Sequence, residues 1–190
     1  MLIFATNNQN KVKEINSILN GVIEVKSLKE SGIEIDIPEP HQTLEENASE
    51  KSKTIYNLTQ TACFSEDTGL EIFSLNGEPG VKSARYADGE YIYLNNIDKV
   101  LKKLAGLSDR RAQFKTIISL LINNQEYQFE GICKGTITET EIGTNGFGYD
   151  AIFIPDGSSK TFAEMTIEEK NIFSHRKKAV AQLVQFLKNR

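Results

Sequence analysis

Glu66 and Asp67 stand side by side after the apolar run 61–64 and just before Thr68 and Gly69. Adjacent carboxylates repel unless a cation or a proton lies between them. The pair is therefore a candidate for holding Mg²⁺ and activating a water molecule. It reads equally as a solvated turn with a helix-capping duty. Glu39 lies in the stiff run Pro38-Glu39-Pro40, which predicts an extended, outward carboxylate suited to a second metal contact. Glu45 and Glu46 are explained more simply, as first-turn residues that favour a helix dipole.

A second kind of chemistry is suggested by Thr6, Asn7, Asn8, Gln9, Asn10 and Lys11, which fall between a predicted strand and a predicted helix. A helix start offers backbone N–H groups and partial positive charge, which favours phosphate. Short hydroxyl and amide side chains add donors there, and Lys11 adds a full charge. A plain turn with a cap has the same composition. Gly146-Phe147-Gly148-Tyr149-Asp150 is a third candidate: the glycines would let backbone approach a flat ring and the aromatics would stack on it. A packed aromatic turn is the competing reading. Lys170 and the run Ser174-His175-Arg176 bring further donors together near a helix start.

The elements that must position these residues follow from periodicity. Residues 2–5 form a short apolar run, read as a buried strand. Val12, Ile15, Ile18 and Leu19 have helical spacing over 11–19, with Gly21 as the stop. Residues 22–28 read as a strand and 38–42 as a loop. Thr43 with Glu46 is a capping box for a helix to about residue 59. A strand over 61–64 ends at 65–69. Gly77, Pro79, Gly80 and Gly89 mark a looped middle, and 91–104 reads as helical. Two alternating strands, 112–122 and 126–137, flank the hairpin-type turn Asn123-Asn124, and 143–149 is a glycine-rich loop. Thr166 with Glu169 forms another capping box. Ser174 opens a terminal helix with Ala179, Leu183, Phe186 and Leu187 on one face. Strand–helix alternation followed by paired strands predicts a mixed α/β fold.

Composition narrows the class. The chain has 190 residues, 39% of them apolar and 25% charged, ordinary values for one globular domain. A chain of this length buries roughly 70% of its unfolded surface. A net charge of −4 argues against duplex nucleic acid as a partner, since that needs a basic face. No apolar run approaches the roughly 20 residues of a membrane span, and residues 1–5 lack the basic start of a secretory leader. A cytoplasmic location is expected, with Cys63 and Cys133 as reduced core thiols.

Taken together, these segments resemble the inosine triphosphate pyrophosphatase family. The resemblance runs from Ile3 to Phe186. In order it comprises Ala-Thr-Asn-Asn-x-x-Lys from Ala5, Pro-Glu at Pro38, Leu-Glu-Glu-Asn-Ala from Leu44 and Ser-Glu-Asp-Thr-Gly-Leu from Ser65. Pro-Gly-Val-x-Ser-Ala-Arg-Tyr from Pro79, Gly-Phe-Gly-Tyr-Asp from Gly146, Thr-Phe-Ala-Glu-Met-Thr from Thr161 and Ser-His-Arg-x-Lys-Ala from Ser174 complete it. The chain departs from the family at Asn7, where many members have Gly, and at Ala151, where Pro is common.

The resemblance implies an elongated mixed sheet with helices on both sides and two lobes around a central cleft, all within one domain over 1–190. It also implies Mg²⁺-dependent hydrolysis of ITP, dITP and XTP to the monophosphate and pyrophosphate, a house-cleaning step that keeps them out of DNA and RNA. Thr6, Asn7, Asn8, Gln9, Asn10 and Lys11 would then cradle the phosphates, with Lys51 a further contact. Glu39 and Asp67 would bind Mg²⁺, with Asp67 as the base that activates water, assisted by Glu66. Thr68 would touch the substrate. Phe147, Gly148, Tyr149 and Asp150 would hold base and sugar with Lys170, His175 and Arg176. The family also implies a homodimer and a purine nucleoside triphosphate as the partner, with neither nucleic acid nor membrane.

Two other readings compete. A Maf-type pyrophosphatase for modified pyrimidine nucleotides would carry a Ser-Pro-Arg-Arg-like turn where this chain has Thr6-Asn7-Asn8. A nucleotide sensor without catalysis would be expected to lose a metal carboxylate, whereas Glu39, Glu66 and Asp67 are all present.

Overall fold

In the computed structural model, which describes residues 1–190, seven strands join in one sheet accompanied by five α-helices. In chain order these are β1 (Leu2–Phe4), α1 (Gln9–Leu19), β2 (Val25–Ser27), α2 (Leu44–Thr59), β3 (Cys63–Ile72), β4 (Pro79–Gly80) and α3 (Asn96–Lys103). They continue with β5 (Arg111–Ile122), β6 (Gln125–Ile137), β7 (Phe153–Pro155), α4 (Ile167–Phe173) and α5 (His175–Lys188). The strand order is β2-β1-β3-β5-β6-β7, with β4 beside β3. β1 runs parallel to β2 and β3, whereas β4 is antiparallel to β3 and β7 to β6. The mixed α/β class read from the sequence is the observed one.

Two compact units divide the chain. One comprises Met1–Asp67, Thr116–Gly131 and Arg176–Arg190; the other comprises Thr68–Lys115 and Ile132–His175. The boundary falls at 67/68, 115/116, 131/132 and 175/176, so β3, β5 and β6 each contribute residues to both.

In the first unit, strand alternation builds two layers, because successive side chains point to opposite faces. Leu2, Phe4, Phe64, Ile118 and Leu120 pack with Ile15 and Leu19 of α1 and with Ala179, Val180 and Leu183 of α5. Phe4 and Phe64 stack with their centroids 4.6 Å apart. The odd-numbered Ile3, Ala5, Cys63 and Leu121 pack instead with Ile55 and Tyr56 of α2 and with Ile33, Ile35 and Ile37. Both faces are buried, so the strands read as continuous apolar runs. Each large side chain removed from water contributes about 1.5–3 kcal/mol.

Local signals fix the helix ends. The Asn8 side chain accepts the N–H groups of Asn10 (3.0 Å) and Lys11 (3.2 Å) to start α1. Thr43 accepts the N–H of Glu46 at 3.2 Å and donates its hydroxyl to the Glu46 carboxylate, opening α2. Thr166 and Glu169 form the reciprocal box at the start of α4. Asn123 and Asn124, both left-handed (φ 52° and 61°), make the two-residue hairpin turn between β5 and β6.

In the second unit the core gathers Leu70, Ile72, Val100, Leu104, Phe114, Phe153 and Phe162. Cys63 and Cys133 are free and buried. No helix is long and apolar enough to cross a membrane.

Three expectations are corrected. The second strand is only Val25–Ser27, because Asn20 and Gly21, both left-handed, turn the chain and leave Val22 exposed. Helix α3 starts at Asn96 and not at residue 91: Asn95 caps it by accepting the Asp98 N–H at 2.8 Å, and Tyr91, Ile92 and Leu94 lie exposed before it. Most consequential, β3 does not stop at residue 64. It runs on through Glu66 and Asp67 to Ile72, because each charge finds a partner on its own face of the sheet.

Candidate active site

Ser65, Glu66 and Asp67 extend the alternation of β3. The odd residues turn toward α2, where the Ser65 hydroxyl donates to the Ala48 carbonyl. Asp67 Oδ1 accepts from Lys51 Nζ of α2 at 3.0 Å, and the same ammonium donates to Glu39 Oε1 at 2.5 Å. Glu39 arrives from an extended segment in which Ile33, Ile35 and Ile37 face the core. Sharing their parity, Glu39 turns inward with its side chain only 26% exposed, correcting the outward pose expected from its prolines. Burial lifts the Asp67 carboxyl above the ordinary carboxylate range, while Lys51 and Lys11 pull the other way. Burial opposes the charge of Lys51, yet Asp67 and Glu39 raise its pKa above the usual value.

The even residue, Glu66, meets α1 and α5. Arg176 donates to it through Nε (2.7 Å) and Nη2 (2.8 Å), and Lys11 Nζ lies 3.1 Å from Oε1. The third arm of Arg176, Nη1, donates to Glu14 of α1. Burial would push the Glu66 carboxyl up, but the charges of Arg176 and Lys11 and their hydrogen bonds hold it well below the usual range. Glu66 and Asp67 therefore face opposite sides of the sheet, and the shared role drawn from their adjacency does not follow.

Around the turn before α1, Asn7, Asn8, Gln9 and Asn10 are exposed, while Thr6 and Lys11 are half-buried. Thr6 Oγ1 accepts the Asn8 N–H at 3.2 Å. Asn7 Nδ2 donates to the Ile35 carbonyl at 2.8 Å, tying the turn to the segment that carries Glu39. Asn7 is not among the left-handed residues, so Asn in place of Gly needs no unusual backbone here.

In the second unit, Gly146 has φ +76°, and a Cβ on it would fall on the Asp150 carboxylate. That carboxylate accepts the Phe147 N–H at 2.9 Å and the Lys170 ammonium at 2.6 Å. The ammonium of Lys170 also lies 5.3 Å from the Phe147 ring centroid, within cation–π range. Tyr149 is buried and donates to the Ser83 carbonyl at 2.8 Å. Asp150 and Tyr149 thus brace the loop, while half-buried Phe147 and exposed Gly148 form its outer part. His175, also buried, stacks on Phe114 at 4.7 Å and 17°. Thr68 is half-buried in β3. Arg176, read from the sequence as a donor for a ligand, is 1% exposed and engaged with two carboxylates.

Sequence reasoning passed over Glu14 and Ser83. Glu14 follows Lys11 by three residues and precedes Ile18 by four, so it shares their helix face. An acid on that face signals a buried partner. Ser83 accepts the Leu70 N–H at 2.8 Å through its hydroxyl and the Tyr149 hydroxyl through its carbonyl. It lies inside the Pro-Gly-Val-x-Ser-Ala-Arg-Tyr motif from Pro79, which marked the family resemblance but gave this serine no role.

A mixed α/β fold here presents a lysine-bridged carboxylate pair and a lysine-bearing helix start, a set of groups suited to a cation and to phosphate. The Ham1 family model matches residues 2–186. A relative from Flavobacterium johnsoniae, named dITP/XTP pyrophosphatase, is 49% identical over 98% of this chain and 97% of its own length. The solved HAM1 protein of Coxiella burnetii superposes with a TM-score of 0.87 at 36% identity, covering all of both chains. The Ham1 protein of Staphylococcus aureus does so at 0.86 and 38%, covering 99% of this chain and 98% of its own. The chain belongs to the Ham1 family.

Proposed function

We propose that this Ham1-family enzyme hydrolyses dITP, ITP and XTP to the monophosphate and pyrophosphate, with Mg²⁺, and so removes abnormal purine nucleotides before they enter DNA or RNA. Relatives that share almost half its residues over nearly their whole length are named for dITP and XTP. The observation that carries the chemistry is the placement of Asp67: buried in β3 and 3.0 Å from a Lys51 ammonium that also reaches Glu39, it sets a carboxylate beside a second acid and a cation.

The donor set fits a hard cation. Glu39 Oε1 and Asp67 Oδ1 both reach one ammonium nitrogen, so the two carboxylates already share one cationic position. Glu39 and Asp67 would hold Mg²⁺, which when bound neutralises charge on the triphosphate and on departing pyrophosphate. Asp67 takes the proton of the attacking water at a carboxylate oxygen. Lys11 and Lys51 supply positive charge to the phosphates, and the residues from Thr6 to Asn10 contribute short polar donors. Glu66 does not assist Asp67 in this reading; it orients Lys11.

Base and sugar are assigned to the loop of Phe147 and Gly148, braced by Tyr149, Asp150 and Lys170, with Thr68 and His175. Hypoxanthine and xanthine carry an acceptor oxygen at C6, where adenine carries a donor. Guanine adds a donor at C2. A donor facing C6 pairs with hypoxanthine and xanthine and is left unpaired by adenine, while a donor facing C2 pairs with xanthine, meets only hydrogen in hypoxanthine and opposes the amino group of guanine. The same reading makes residues 1–190 one catalytic domain of a cytoplasmic homodimer. Pyrophosphate release tests it. With Mg²⁺, kcat/KM for ITP and XTP is expected at least about 10²-fold above ATP and GTP, the reach of hydrogen-bonded selectivity. Equal turnover of GTP and ITP would leave only a general triphosphate pyrophosphatase.

A further inference from the structure

We propose that Glu14 is a positioning residue that sets how tightly Lys11, and with it the turn before α1, holds polyphosphate. The inference rests on the phosphate role assigned to Lys11 above.

Glu66 Oε1 is shared by two cations, Lys11 Nζ at 3.1 Å and Arg176 Nη2 at 2.8 Å. The two compete for the negative charge of one carboxylate. Glu14 enters the competition from the other side, accepting from Arg176 Nη1. The part of the Arg176 charge that Glu14 offsets is no longer available to neutralise Glu66. More of Glu66 is then left for Lys11. These four side chains carry two positive and two negative charges, and three of them are sealed: Glu66 and Arg176 are each 1% exposed and Glu14 is 6% exposed. Away from water such charges act on one another strongly. Lys11 is the open end, its side chain 15% exposed, and it stands at the helix start where a polyanion binds most readily.

An arriving phosphate must draw Lys11 away from Glu66. With Glu14 charged, Glu66 holds Lys11 back, so polyphosphate binds less tightly and leaves sooner. Without that charge, Arg176 would neutralise Glu66 alone and Lys11 would be released to the ligand. Glu14 stands one helical turn from Lys11 on α1 and is itself buried, so its charge bears on Lys11 without meeting the ligand. A purely structural tie predicts the opposite sign, because loosening α1 would weaken binding.

The test compares the full-length protein with Glu14→Gln, which keeps an acceptor for Arg176 but removes the charge. Titration calorimetry with inorganic pyrophosphate should show Kd falling roughly five- to tenfold, the lower end of measured couplings between sites. Steady-state kinetics with ITP should show KM and kcat falling together as product is held longer. Lys11→Met placed on Glu14→Gln should cancel the gain, assigning it to that lysine. If Glu14→Gln does not fold, Glu14→Asp keeps the charge but sets it one methylene back, and should shift Kd in the same direction by less. Unchanged or weaker pyrophosphate binding in a folded Glu14 variant, beside an unmodified protein that binds it, overturns the inference alone. An unmodified protein that binds no pyrophosphate and leaves ITP intact overturns the functional reading and this inference with it.

Discussion

Glu66 and Asp67 are consecutive residues of one strand, and the two faces of β3 treat them in opposite ways. Glu66 is sealed beside α1 and α5 by Arg176 and Lys11, which hold its carboxyl well below the usual range against the pull of burial. Asp67 faces α2, where burial prevails over Lys51 and its carboxyl is raised. Two carboxylates with pKa values driven apart mark a division of labour. The depressed one stays ionised and organises cations, and the raised one can take a proton. Each side has one member that reaches solvent, Lys11 with 15% of its side chain exposed beside Glu66 and Glu39 with 26% beside Asp67.

The sharpest way to break this comparison is to remove the central cation. Arg176→Ala leaves Glu14 and Glu66 buried without their shared partner. A buried charge stripped of its counter-ion destabilises by about 3–5 kcal/mol, so urea unfolding should show a loss of that size. A loss under about 1 kcal/mol, the scale of an exposed pair, would place the cluster with ordinary surface salt bridges.

On the other face the expected effect is kinetic. Asp67→Asn keeps shape and an acceptor for Lys51 but cannot take a proton. It should fold with a nearly unchanged melting temperature while kcat for ITP falls by at least about 10²-fold. Near-normal turnover would remove Asp67 from the chemistry and leave the two faces equivalent.

Smallest is the change expected at Glu39. Glu39→Gln withdraws one charged oxygen beside Asp67, so the Mg²⁺ concentration for half-maximal activity should rise by at least about tenfold, the scale on which even an outer-shell partner of a metal acts, with little change in stability. An unaltered Mg²⁺ titration would return Glu39 to the role of a tether for Lys51.

Much of this architecture was legible locally. Thr43 with Glu46 and Thr166 with Glu169 announced their helices within four residues, and Asn123-Asn124 announced the hairpin, because caps and tight turns are settled by neighbours in the chain. The inward turn of Glu39 was legible as well, in the alternation of Ile33, Ile35 and Ile37 with acids, although the flanking prolines drew the reading outward. The brace of Asp150 on Gly146 and Phe147 lay within one five-residue motif. Its consequence, that Tyr149 and Asp150 support the loop while Phe147 and Gly148 form its outer part, depends on Lys170 twenty residues on and on the Ser83 carbonyl.

By itself, the sequence determined the residue types, the strand and helix periods and the motifs that mark the family, since these act over one turn or one pleat. It could not say which face each carboxylate of the Glu66-Asp67 pair would meet, nor with what. Arg176 joins Glu66 across 110 positions and Glu14 across 162. Those contacts exist only once α5 has packed against the same layer as α1. Only the tertiary structure gave the two neighbours opposite environments, because a pKa is set by burial and by the charges nearby, and the fold supplies both.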